Sequence, residues 1–274
     1  MSTTPKASSG LAGVVAGQTA VGEVTQTSLR YRGYGIEDLA NNTCFEEVAY
    51  LLLYGELPTR AQFGEFRSRI QGAMALPAEV TRAIDAMPNE TPPMDVLRST
   101  VSLLGHYDPD AQDNSREANL RKSERLLGQI AAATGRWCRK TTGVAEAPPD
   151  PDATHGANLL TMMLGKRAGE LAGRVMDGTL ILYAEHEFNA STFTARTIAS
   201  TLADMHSAVS GAIGALKGPL HGGANEAAMH QFLDIGSVDN VENWFNQIQE
   251  HNKAHPDNKR LIMGFGHRVY KHGD

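Results

Sequence analysis

With 274 residues, 41% hydrophobic and 20% charged, the chain can bury a large core; one large domain plus a smaller piece is the expected layout. A formal net charge of −6 argues against nucleic-acid binding, so an anionic ligand would need local Arg, Lys, His or helix N-termini. Cys44 and Cys138 form no CxxC motif and Met1 to Gly10 hold no apolar run, which predicts a reducing, cytoplasmic setting without signal peptide or membrane span.

The opening, to about Leu29, is β-branched and glycine-spaced and reads as a strand pair or extended arm. Helical patterning follows. Thr43 and Glu46 predict a capping box ahead of Phe45, Val48, Ala49 and Leu52, with Gly55 as the stop. Thr59 and Gln62 repeat the box for a helix through Phe66 and Ile70. Pro92-Pro93 opens another helix, with Leu97, Thr100, Val101 and Leu104 as its buried stripe and Gly105 as its end. Residues 106–116 and 141–156, rich in Asp, Pro and Gly, read as surface loops. Helical spacing returns at Leu159 to Met163 and Leu171 to Tyr183. Thr192 to Leu216 reads as one long helix whose many Ala, Ser and Gly residues allow close packing, inside the monomer or against a second subunit. No βαβ rhythm appears, so a mostly α-helical fold is expected.

Two histidines sit among glycines, in Gly218-Pro219-Leu220-His221-Gly222-Gly223-Ala224-Asn225-Glu226 and Gly264-Phe265-Gly266-His267-Arg268-Val269-Tyr270. Glycine admits close approach of a reactant, and imidazole titrates near neutrality, so the pair suggests two proton donors facing one pocket. Tight turns with incidental histidines are the plainer reading. A predicted helix starts just after His221, and a helix N-terminus disfavours an imidazolium by ~0.3–1 kcal/mol. A neutral His221 could donate to a developing oxyanion. Arg268 and Lys271 supply positive charge beside His267. His186, in Ala184-Glu185-His186-Glu187-Phe188-Asn189, suits orientation of a carboxylate substrate better than a metal, because neighbouring residues point apart and no HExxH exists. No GxSxG is present, and Ser191 and Ser210 have no matching base nearby in the sequence.

In order and spacing, AEHEFNASTFTAR, GPLHGGANE and GFGHRVYKHGD resemble the citrate synthase family, which includes 2-methylcitrate synthases. GLAGVV at 10–15, YRGYGIEDL at 31–39 and PMDVLR at 93–98 extend the likeness over essentially the whole chain. The resemblance implies a large helical domain (residues 1–220) and an incomplete small domain (residues 221–274), closing over the active site in a homodimer. It implies condensation of acetyl-CoA, or propionyl-CoA in the alternative, with oxaloacetate, needing no metal or other cofactor. By the same resemblance His221 stabilises the enol or enolate of the acyl group, and His267 polarises and protonates the oxaloacetate ketone. His186 helps hold oxaloacetate, while Gly264, Phe265 and Gly266 contact CoA. The family's base aspartate and substrate arginines match positions after Asp274. The chain is therefore expected to be truncated and inactive alone, or else to be a non-catalytic binding or dimerisation module.

Overall fold

The computed structural model describes residues 15–25 and 28–265. Among them, a small antiparallel sheet precedes a succession of helices. Strand β1 (Gly22–Val24) pairs with β2 (Leu29–Tyr31), and β2 with β3 (Tyr34–Gly35). Arg32 and Gly33 turn β2 into β3 with φ of 49° and 91°. That left-handed backbone is unfavourable for arginine. The Arg32 guanidinium offsets the strain by donating to the carbonyls of Ala20 at 3.3 Å and Leu52 at 3.2 Å.

The helices are α1 (Ile36–Asn42), α2 (Phe45–Tyr54), α3 (Arg60–Gly72), α4 (Ala78–Ala86), α5 (Pro93–Leu104), α6 (Arg116–Thr142), α7 (His155–Leu164) and α8 (Glu170–Leu182). They continue as α9 (Ala190–Ala199), α10 (Met205–Leu216), α11 (Gly223–Ile235) and, after a 3-10 turn, α12 (Val241–Ala254). The mostly α-helical expectation holds.

Two apolar cores organise the chain up to α10. Tyr31, Leu39, Val48, Leu51, Phe66, Ile70, Met162 and Ile181 join the sheet to α1, α2, α3, α7 and α8. Val80, Ile84, Val96, Val101, Leu104, Trp137 and Ile213 join α4, α5, α6 and α10. Helix α6 serves both, giving Ala131 and Ala132 to the first and Leu126, Ala133 and Trp137 to the second. Burying a large aliphatic or aromatic side chain in such a core stabilises by about 1.5–3 kcal/mol.

Local sequence signals explain most boundaries. Thr59 and Gln62 form the expected box on α3. Pro93 occupies the first turn of α5, where its missing N–H costs nothing, and Thr100, Val101 and Leu104 are buried while Leu97 is half-buried. The cap of α2 lies one residue later than expected. Cys44 is the N-cap, its N–H donating to Glu47 at 2.9 Å, and Glu46 turns inward instead. There its carboxylate accepts the His155 N–H at 2.9 Å.

The long helix expected over 192–216 is two helices. Asp204 accepts the Ser207 N–H at 2.9 Å and its hydroxyl at 2.6 Å, starting α10 afresh, and Leu202 takes φ 65° in the turn before it. The small residues serve this hairpin: a Cβ on Gly211 would come within 2.2 Å of Ile198 Cδ1.

Beyond α10 packing is sparse. In α11 and α12 only Ile248 is buried, while Met229, Phe232, Leu233 and Phe245 are exposed. Polar contacts shape this end. Gln231 accepts the Met263 N–H and donates to the Leu261 carbonyl, both at 2.9 Å, and Asn252 holds Arg260 the same way at 2.7 and 3.0 Å.

Candidate active site

Residues 183–189, between α8 and α9, carry His186. Tyr183 ends α8 without a glycine, so the last carbonyls need outside donors. The buried Tyr31 hydroxyl supplies one, lying 3.0 Å from the Ile181 carbonyl oxygen, 3.2 Å from that of Leu182 and 3.1 Å from that of Glu185. It also accepts the Glu185 N–H at 3.3 Å. On the other side of His186, Glu187 has φ 52°, and its N–H donates to the Glu185 carboxylate at 2.7 Å. Burial pushes the Glu185 carboxyl above its ordinary pKa.

Helix α9 begins at once. Asn189 Oδ1 accepts the Thr192 N–H at 2.9 Å and the Ser191 hydroxyl at 2.7 Å. Ser191 then reaches the second segment: its Oγ is 2.9 Å from His221 Nε2, and its N–H donates to the same nitrogen at 3.4 Å. Both contacts fall on Nε2, and which of Nε2 and Oγ donates follows the ring tautomer. Sequence reading left Ser191 without a base nearby; the structure puts an imidazole beside it. Ser191 thereby orients His221. Its hydroxyl is also held by Asn189, and no carboxylate contact to His221 completes a nucleophilic triad among the described residues.

His221 sits in the turn joining α10 to α11. The Gly218 carbonyl accepts the His221 N–H at 2.9 Å and the Gly223 N–H at 3.1 Å. A Cβ on Gly223 would lie 2.6 Å from the Lys217 carbonyl oxygen, and one on Gly222 2.9 Å from that of Leu216. The close approach these glycines permit is thus to the end of α10. Lys217 anchors that end, its ammonium donating to both Asp95 oxygens at 2.6 and 2.8 Å on the first turn of α5. The Lys217 contact holds the Asp95 carboxyl below its usual range. Partial burial lowers the His221 pKa, the direction argued from its place before a helix. That direction favours the neutral ring.

Two contacts connect the later helices to this place. Asn225 on α11 donates to the Tyr183 hydroxyl at 3.1 Å. Gly264, with φ 88°, sits 3.7 Å (from an idealised Cβ) from Ala228 of α11, so the returning chain lies on the helix that follows the His221 turn. Phe265 is 83% exposed. Gly266 and His267 lie outside the described residues. Glu226 approaches His230 at 3.9 Å, on the exposed side of α11.

The remaining buried histidines are structural. The His155 ring lies against Phe45 with centroids 5.2 Å apart and planes tilted by 37°, and burial pushes its pKa down to about 4. His206 lies between Asp108 (3.6 Å) and Asp204 (3.8 Å). Tyr31, Asn189 and Ser191 escaped the sequence reading. Only Asn189 carried a local signal, an Asn three residues before Thr192 in the pattern of an N-cap.

The family profile described as "Citrate synthase, C-terminal domain" matches residues 10–274. The chain is 44% identical to 2-methylcitrate synthase 1 of Corynebacterium glutamicum, over 97% of its own length and 70% of that protein. To citrate synthase of Mycolicibacterium smegmatis it is 42% identical, over 98% and 70%. Among solved structures, citrate synthase from Pyrobaculum aerophilum superposes with a TM-score of 0.83 at 36% identity, covering 95% of this chain and 66% of that one. Citrate synthase from Thermoplasma acidophilum, solved with carboxymethyl coenzyme A and oxaloacetate, gives 0.86 at 33% identity, covering 97% and 69%. The family match and the helical fold define a condensing enzyme of the citrate synthase type. The chain belongs to the citrate synthase family. It spans about 70% of the length of the curated relatives named here and about two thirds of the solved ones.

Proposed function

We propose that this chain is the greater part of an enzyme joining the acyl carbon of acetyl-CoA to the ketone of oxaloacetate, giving citrate and free CoA. The observation that carries the proposal is His221 fixed through Nε2 by Ser191, at the start of the helix that follows His186. A thioester α-carbon is weakly acidic, so enolisation needs a base together with a donor to the oxygen on which charge collects. With Nε2 engaged by Ser191, His221 Nδ1–H is that donor. His186 then holds oxaloacetate, and the enol carbon attacks its ketone while His267 delivers a proton to the new alkoxide. Water cleaves the resulting thioester and CoA leaves. Gly264, Phe265 and Gly266 meet the CoA portion. The packing of Gly264 on Ala228 supports convergence of the two histidine segments.

Residues 1–220 act as the large domain and 221–274 as the opening of the small one. The reaction draws on no metal or cofactor beyond the acyl-CoA substrate, and the working unit is a cytoplasmic homodimer. Among the described residues no helix is long and apolar enough to cross a membrane. Residues 1–274 alone do not turn over, because the base aspartate and the carboxylate-binding arginines of the family match positions after 274. Propionyl-CoA as the acyl donor is the second reading, favoured by the 44% identity to a protein named 2-methylcitrate synthase. One methylene contributes only about 1–3 kcal/mol to such a choice.

The test joins residues 1–274 to the remaining C-terminal portion of 2-methylcitrate synthase 1 and follows thiol release. Release that requires oxaloacetate and proceeds in the presence of a chelator supports the proposal. Thiol release independent of oxaloacetate, or dependent on added metal, overturns it.

A further inference from the structure

We infer that Tyr31 is a positioning residue for His186, acting from the N-terminal sheet; the inference rests on the assignment of His186 to oxaloacetate. Tyr31 lies on β2, 150 positions before Ile181, yet it is fully buried and its hydroxyl reaches three carbonyls and one N–H of residues 181–185. All three carbonyls stand just before His186. A single hydroxyl thus closes the end of α8 and fixes the exit direction of the chain. The same sheet makes a second contact there: the Glu185 carboxylate lies over Gly22 of β1, filling the space a Cβ would take, with Oε2 only 1.8 Å from that position. Its other oxygen holds the Glu187 N–H. His186 is therefore flanked by two residues whose backbones are tied down, one through Tyr31 and one through Glu185. Glu187 needs this support, since φ 52° is a strained conformation for a non-glycine residue. The imidazole reaches its substrate from a turn whose geometry is set by the sheet rather than by helix packing alone.

Tyr31→Phe removes the hydroxyl and keeps the ring in the core. In the chain as it stands, the His186 imidazole resonance, assigned with His186→Gln, shifts in Tyr31→Phe, while those of His155 and His206 do not. Tyr34→Phe, on the exposed strand β3, leaves it unmoved. In the C-terminally completed enzyme, Tyr31→Phe raises the oxaloacetate KM about fivefold to tenfold, the equivalent of one lost hydrogen bond, without changing the acyl-CoA KM. Should Tyr31→Phe unfold, Glu185→Gln provides the same readouts through the Glu187 contact. An unmoved His186 resonance, or two KM values rising together, overturns the inference. A wild-type oxaloacetate KM in His186→Gln instead sinks the assignment of His186, and this inference with it.

Discussion

The two ends of the molecule are built on different principles. From β1 to α10 the chain closes around two apolar cores, and the buried Glu124 is paired with the Arg69 guanidinium at 2.6 and 3.0 Å. Among the described residues from α11 onward one isoleucine is buried, and side-chain amides carry the organisation. His221 stands at the seam. It takes its position from the packed side, through Lys217, Asp95 and Ser191, and hands its backbone to the sparse side.

The largest effect that would sharpen this contrast is catalytic. In the C-terminally completed enzyme His221→Ala should slow oxaloacetate-dependent thiol release about 10²–10³-fold, as loss of an oxyanion donor does. Unchanged rates would reduce the seam to a turn. Residues 1–274 alone should give no measurable release.

Stability should divide the same way. Phe66→Ala, in the first core, should cost about 3–5 kcal/mol in denaturant unfolding. Phe232→Ala, on α11 with 67% of its surface exposed, should change it by less than about 0.5 kcal/mol. Equal losses would mean that α11 is as well packed as α3.

A smaller test is pH. Burial raises the Glu46 carboxyl to about 7, so the folded state holds a proton that the unfolded state has lost, and stability falls as pH rises from about 4.5 to 7. Burial lowers His155 to about 4, so its contribution is present above about 6.5 and lost as pH falls toward 4. Between about 4.5 and 6.5 the two slopes oppose each other, and the native protein should show a nearly flat profile. Glu46→Gln should expose the rising limb and His155→Gln the falling one, each about 3 kcal/mol across its window. Parallel profiles in both variants would show that neither group titrates as its burial demands. The smallest expected effect is proteolytic: trypsin should cut first within residues 253–260 and leave α1–α10 intact, because few buried contacts oppose local opening there.

Legibility followed where structure is local. The α3 box and the α5 proline start are written in neighbouring residues, and the family likeness rested on contiguous motifs around His186 and His221. Helix α6 was legible only as the span between two surface loops, because Lys122 and Glu124 interrupt its apolar rhythm. Both are buried, satisfied by the Asp113 carbonyl and by Arg69 from other elements. The break between α9 and α10 was masked by apolar spacing that runs on through Leu202, which the turn exposes. Tyr31 and Ser191 could not be found because their meaning lies in partners 150 and 30 positions away.

That first separation has a consequence in time. At a synthesis rate of about 5–20 residues per second, Tyr31 leaves the ribosome roughly 8–30 s before Ile181 does. Until then β2 has a buried-type tyrosine and no carbonyl to receive its hydroxyl. The His186 turn is therefore among the last parts of the packed body to be set, although the residue that sets it is among the first to be made.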